Sequence, residues 1–381
     1  MSNEPRPSRS PPDEAANRTP SLFDAVALGP NLLSNRMVMA PMTRARMAEN
    51  GVPGPMNAEY YRQRASAGLI VTECTQVSPS ARGTTYNPGI HTEAQIDGWR
   101  KVTNAVHGKG GKVFLQVWHS GRMSHSAMQD GDQPVAPSAI RPDGEFHGPD
   151  GKQRYETPRA LETEEIPRIV ETFGTAAENA RKAGFDGVEL HGAFGYLPAQ
   201  FLKSGTNERT DRYGGSVENR ARFTLDIVEA LSNAWESDRV GIKLSPSNRQ
   251  SGISDANTEE TFGYLLERLD GMGLAYIHMM EPNPGDREIG VQIEEPTRTF
   301  RPSAPTTAMI ANGGFVKNSA ERILADGTAD LVSFGKSFIA NPDLPARFRQ
   351  GAPLNRPNPE TFYAGGEQGY TDYPALSSLS E

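Results

Sequence analysis

The sequence predicts an α/β chain folded as a single-domain (β/α)8 TIM barrel, and three observations point there. Eight short aliphatic or β-branched runs recur along the chain, segments with helical spacing lie between them, and polar residues and glycines gather where the runs end. Strand followed by helix, repeated, argues a parallel barrel, in which side chains past the strand ends converge on one site.

The predicted strands are residues 36–40, 69–74, 113–118, 185–190, 240–245, 275–279, 307–312 and 330–334. Helical spacing marks 57–67, 93–108, 163–183, 217–235, 258–272 and 318–325. The largest interruption, about 120–162, follows the third strand, is rich in Gly, Pro, Asp and His, and is expected to cap the barrel mouth. Residues 1–20 are rich in Pro, Ser, Asn and charge without an apolar stretch, so they read as a disordered tail rather than a secretion signal. The barrel domain then spans 21–381, and aromatics at Phe348, Phe362, Tyr363, Tyr370 and Tyr373 should pack its last segment onto the barrel.

Bulk properties exclude several classes. Among 381 residues no apolar run approaches the roughly 20 needed to cross a bilayer, and the mean hydropathy is −0.58, so a cytoplasmic monomer or homodimer without a membrane partner is expected. A net charge of −8 disfavours nucleic acid. Cys74, the one cysteine, offers neither an internal disulfide nor a thiolate metal cage, and no metal is expected. Redox chemistry here needs a borrowed cofactor.

Candidate site residues follow the strand ends: Pro41, Met42 and Thr43 after the first, Gln116 and Trp118 in the third, His191 and Tyr196 after the fourth, and Lys243 in the fifth. Asn312, Gly313 and Gly314 follow the seventh, Gly335 and Lys336 the eighth. Glycines let backbone N–H groups approach an anion and Lys336 adds charge, which suits a phosphate-bearing cofactor; a plain turn is the alternative. Gln116 can both donate to and accept from the uracil-like edge of an isoalloxazine, or simply cap the barrel. Thr43 can hydrogen-bond a flavin carbonyl or be an ordinary loop hydroxyl. Lys243 can offset charge on a reduced flavin, or act as a Schiff-base nucleophile in a lyase. His191 can donate to a substrate carbonyl and Tyr196 can supply a proton.

Longer motifs carry a resemblance. They include Ala40-Pro41-Met42-Thr43-Arg44, Tyr61-Arg62-Gln63-Arg64-Ala65, Leu115-Gln116-Val117-Trp118-His119-Ser120-Gly121-Arg122, Gly184-Phe185-Asp186-Gly187-Val188-Glu189, and Asn207-Glu208-Arg209-Thr210-Asp211-Arg212-Tyr213-Gly214-Gly215-Ser216. In this order, from about Leu22 to Pro374, the chain resembles the old yellow enzyme family of FMN-dependent ene-reductases, and its ending resembles the bacterial branch with morphinone and nitrate-ester reductases. The resemblance implies non-covalent FMN, NADPH or NADH as hydride donor, and a small-molecule alkene partner: an enone, enal, maleimide or nitroalkene. Hydride would pass from flavin N5 to the β-carbon, with Tyr196 as proton donor to the α-carbon. The family's carbonyl clamp, His-x-x-Asn or His-x-x-His, begins at His191, but its second position here is Phe194, which has no donor. Trp118 and Tyr363 match pocket walls, and Cys74 matches a small residue behind the flavin. Lys243 and Lys336 stand where the family usually has Arg, keeping charge without the bidentate fork. A specialised flavin reductase or isomerase with weak ordinary ene-reductase activity, a flavin binder with little turnover, and the Lys243 lyase are the alternatives.

Overall fold

A computed structural model describes residues 19–148 and 151–376. Its eight barrel strands are β1 (Met37–Met39), β2 (Leu69–Val71), β3 (Val113–Trp118), β4 (Gly187–Gly192), β5 (Val240–Leu244), β6 (Tyr276–Met280), β7 (Met309–Asn312) and β8 (Leu331–Phe334). Each pairs in parallel with the next, and β8 returns to β1 through Val332↔Met37 and Phe334↔Met39, which closes the sheet and leaves no edge within it. The chain is a (β/α)8 TIM barrel.

Outside the strands run α1 (Pro55–Gln63), α2 (Glu93–His107), α3 (Ile166–Lys182), α4 (Val217–Ala234), α5 (Thr258–Asp270), α6 (Pro296–Phe300), α7 (Lys317–Ala325) and α8 (Leu344–Gln350). Local chemistry sets their ends. At α2 the Thr92 hydroxyl accepts from the Gln95 N–H while the Gln95 side chain accepts from the Thr92 N–H, a reciprocal cap. In the sixth repeat, where helical spacing marks no segment, 281–295 with its prolines and glycines gives a short turn of helix at Pro284–Ile289 before the five-residue α6. Strand β2 stops at Val71 rather than at residue 74. The Glu73 carboxylate accepts from the Arg44 N–H, and its own N–H donates to the Tyr61 hydroxyl, drawing the chain off the ladder.

Alternation along the strands sorts the core. Val188 and Leu190 face outward into the layer shared with the helices, whereas Val38, Leu69, Val71, Phe114, Tyr276, Ile310 and Leu331 fill the barrel interior. Leu28 and Leu33 join that interior from an antiparallel hairpin, Val26–Leu28 with Asn31–Leu33, which the sequence reading did not anticipate. Two glycines make room for the large rings. A Cβ at Gly187 would lie 2.4 Å from the Phe114 ring, and one at Gly241 2.4 Å from the Tyr276 ring.

The insertion after β3 contains a hairpin, Glu145–Gly148 with Gly151–Arg154, and a parallel pairing of Val135–Ala136 with Arg159–Ala160. Among the described residues it contributes no side chain to the cavity described below. Its Arg122 ties it to the loop after β5 by donating to the Ser251 carbonyl. The expected tail of 1–20 lies, except for its last two residues, outside the described residues. At the other end of the chain, Arg44 and Arg46 donate to carbonyls of Thr361, Phe362, Gly366, Gln368 and Gly369. Tyr370 stacks on Tyr60 at 4.0 Å, fixing the final segment across the first βα loop. Among the described residues no helix is long and apolar enough to cross a membrane.

Candidate active site

At the C-terminal ends of the strands lies an open cavity of about 380 Å³, within the range of small-molecule sites. The loop after β1 gives it Pro41, Met42 and Thr43; Cys74 and Gln116 form its floor beside them; Asn312, Gly335 and Lys336 come from the ends of β7 and β8. His191, Phe194 and Tyr196 follow β4, Lys243 rises from β5, and the exposed Tyr363 arrives from the C-terminal segment. Ala40, Met280, Ile339 and Phe362 complete the wall without having been foreseen.

Three sequence candidates stand apart from the lining. Trp118 is fully buried with its ring edge-on to Tyr196 at 5.2 Å, so it supports Tyr196 from behind. Gly313, at φ +134, lies against Glu281 and lines a neighbouring cleft. Gly314 is exposed at φ +70, which a glycine adopts without strain.

The electrostatics follow from burial. His191 is buried among Lys243 and His278, and desolvation together with those two groups holds its pKa well below the usual histidine value, so the ring is neutral. Its Nδ1 accepts from the Ala193 N–H at 3.3 Å, so Nε2 carries the proton and is a donor. Burial raises the Tyr196 phenol far above its ordinary value, with Cys74, Tyr155 and Tyr363 adding to the effect, so its proton stays on. The two rings lie 4.8 Å apart. Burial likewise pushes the Cys74 thiol up to about 12; the residue is an inert neighbour 3.4 Å from the Thr43 hydroxyl. Phe194 takes φ +55, a left-handed conformation uncommon for a bulky residue, held by its N–H donating to the Ser245 hydroxyl. Its ring stands 5.8 Å from the Lys243 ammonium.

Directly beneath the cavity is a polar layer made by inward residues of alternate strands. Glu189, fully buried, accepts from Gln116 Nε2 at 2.7 Å and pairs with His278 Nδ1 at 2.8 Å; His278 Nε2 meets the Ser333 hydroxyl at 2.7 Å. Burial raises the Glu189 pKa, but His278 and Lys243 more than offset it, so the carboxylate is ionised. Lys243 is buried with no hydrogen bond or salt bridge among the described residues, and desolvation lowers its pKa to about 8 against the support of Glu189. Sequence reasoning passed over Glu189, His278 and Ser333. The available signal was period-two alternation: Glu189 shares a face with His191, and His278 is the inward residue at the middle of β6.

A family profile described as the NADH:flavin oxidoreductase / NADH oxidase family matches residues 21–355. The chain belongs to that family. Among solved structures, this flavin oxidoreductase is similar to morphinone reductase, at 48% identity with a TM-score of 0.91, covering 96% of this chain and 99% of that one. The old yellow enzyme homologue from Zymomonas mobilis is 42% identical with a TM-score of 0.90, covering 94% and 100%. Among curated proteins, 12-oxophytodienoate reductase 1 of Oryza sativa subsp. japonica is 43% identical over 98% of this chain and 97% of its own length. A further structure is of morphinone reductase in complex with tetrahydroNAD, at 49% identity with a TM-score of 0.88, covering 95% and 99%.

FMN is the cofactor of the family and a nicotinamide its hydride source, and the residues present fit the flavin. Lys243 is a buried cation with no acceptor of its own, Gln116 turns its carbonyl oxygen away from Glu189, and exposed Lys336 with Gly335 begins a helix at the rim. A flavin's pyrimidine edge and phosphate match these three groups.

Proposed function

We propose that this flavin oxidoreductase is an NAD(P)H-dependent ene-reductase that reduces activated C=C bonds in enones, enals, maleimides or nitroalkenes through a carbonyl clamp with one side-chain donor. The reading is carried by one pairing: a neutral His191 whose Nε2–H is free to donate, beside a Tyr196 that keeps its proton. FMN, when bound, would supply the redox chemistry, carrying a hydride between NADPH or NADH and the alkene β-carbon.

The chain's own residues divide the remaining work. Gln116, Thr43 and Lys243 hold the flavin ring; Gly335, Lys336 and Asn312 hold the phosphate end. His191 donates to the substrate's carbonyl or nitro oxygen, where negative charge grows as the β-carbon is reduced. Tyr196, beside it, gives its proton to the α-carbon. Trp118 fixes the Tyr196 ring from behind. Phe194 occupies the second clamp position without a donor, and the aromatic wall of Phe194, Phe362 and Tyr363 favours substrates with apolar bulk. The lyase reading of Lys243 is set aside on family membership.

Absorbance followed without oxygen tests the proposal. Flavin bands should bleach with NADPH or NADH and return on adding 2-cyclohexenone or N-methylmaleimide. Bleaching with no recovery by any activated alkene would refute it. Phe194 favours a second reading, a specialised flavin reductase slow with ordinary enones, whose sign is recovery with maleimide but hardly with cyclohexenone.

A further inference from the structure

We infer that Glu189 is a positioning residue for the flavin: from beneath the cavity it fixes which end of the Gln116 amide faces the cofactor and provides the buried counter-charge of Lys243. The inference rests on FMN as cofactor and is independent of which alkene is reduced.

The geometry leaves Gln116 little choice. An ionised carboxylate only accepts hydrogen bonds, so the group 2.7 Å from Glu189 Oε1 is the Gln116 NH2, and Gln116 Oε1 is turned to the cavity. There it suits a flavin's N3–H, which lies between two carbonyls on the pyrimidine edge. Were Glu189 neutral, the amide could turn over and offer a donor to a donor. His278 secures the carboxylate from the other side, and Ser333 fixes His278.

The charge argument uses the same residues. Lys243 has His191 and Glu189 facing it from β4, His278 from β6, and the Phe194 ring above; Glu189 alone among them is an anion. Two-electron reduction adds negative charge to the flavin, which Lys243 favours and Glu189 opposes. Removing the carboxylate therefore has two consequences of opposite sign. Reduction becomes easier while Lys243 keeps its proton, and Lys243 gives up that proton at a lower pH.

The experiment is the flavin midpoint potential of FMN-loaded protein from pH 6 to 9, for wild type, Glu189→Gln and Glu189→Asp. Glu189→Gln should favour the reduced form at pH 6 by on the order of tenfold, and its advantage should narrow where Lys243 has lost its proton in the variant but not yet in wild type, the break being displaced to lower pH than in wild type. Glu189→Asp, which keeps the charge, should follow the wild-type profile in shape. In a Lys243→Met background the Glu189→Gln effect should be the same at every pH. Coincident profiles for wild type and Glu189→Gln, or equal displacements for Gln and Asp, would reduce Glu189 to a packing role and overturn the inference. If Glu189→Gln fails to fold, the infrared difference spectrum of wild type on reduction decides instead. A carboxylate stretch that shifts with reduction, and shifts differently in Lys243→Met, supports the assignment; its absence overturns it.

Discussion

Replacing Phe194 by Asn changes two quantities whose sizes can be worked out separately. The first is backbone strain. At φ +55 a residue with a bulky side chain carries about 1 kcal/mol of left-handed penalty, most of which Asn relieves; against it, exchanging a half-buried ring for a small amide loses packing of roughly 1 kcal/mol. Stability should therefore stay within about 1 kcal/mol of wild type, a melting shift of no more than about 4 °C. The second is a donor restored beside His191, whose ring centroid is 5.9 Å from that of Phe194. A single oxyanion donor is worth about 10²–10³ in rate. Stopped-flow measurement separates the steps: flavin reduction by NADPH should change by no more than a few fold, while reoxidation by 2-cyclohexenone should accelerate by about 10² or more. Phe194→Gly is the control, since it relieves the strain and removes the bulk without adding a donor. Equal acceleration in the Gly and Asn variants would show that steric obstruction was the defect, and no acceleration in either would show that His191 suffices. Either result refutes the reasoning.

Three other outcomes follow from the same geometry. Tyr196→Phe should slow alkene-driven reoxidation by about 10² while leaving reduction by NADPH within a few fold; equal slowing of both steps would make the ring's role structural. FMN binding to the apoprotein should depend on the charge of Lys243, whose pKa is about 8 before the cofactor arrives and rises when the flavin's carbonyl edge becomes its hydrogen-bond acceptor. That contribution is fully present below about pH 8 and is lost as pH climbs through the raised value, so affinity measured by fluorescence quenching should fall on the alkaline side, and Lys243→Met should flatten the trend. Gly241→Ala should destabilise by about 3 kcal/mol or more, because its Cβ would sit 2.4 Å from the Tyr276 ring. Thermal melting checks this, and a second change, Tyr276→Leu, should recover part of the loss.

The barrel was legible because strands buried on both faces read as continuous apolar runs: 113–118 was predicted and Val113–Trp118 is found. The fourth strand runs Gly187–Gly192 instead of 185–190, since Phe185 packs among the helices and Gly187 is the first residue that fits beside Phe114. Site residues after strand ends were legible by position. Those inside the barrel were not, because Glu189 and His278 interrupt otherwise apolar runs and only their mutual approach gives them meaning. The resemblance makes Trp118 a wall of the substrate pocket, and a sequence does not show that Tyr196 comes down in front of it. The conformation of Phe194 was equally invisible, being set by a hydrogen bond to Ser245 from a different strand end.

The last segment of the chain has a consequence for how the protein is made. Arg44 and Arg46, near the start, wait for carbonyls between Thr361 and Gly369, and β1 waits for β8. During synthesis the closing strand pair does not exist until residues 331–334 have been made, nor the wall containing Tyr363 until about thirty residues later. A polypeptide ending before residue 361 would have every barrel strand and yet lack the Arg-bound strap, a closed vessel with an unfinished mouth.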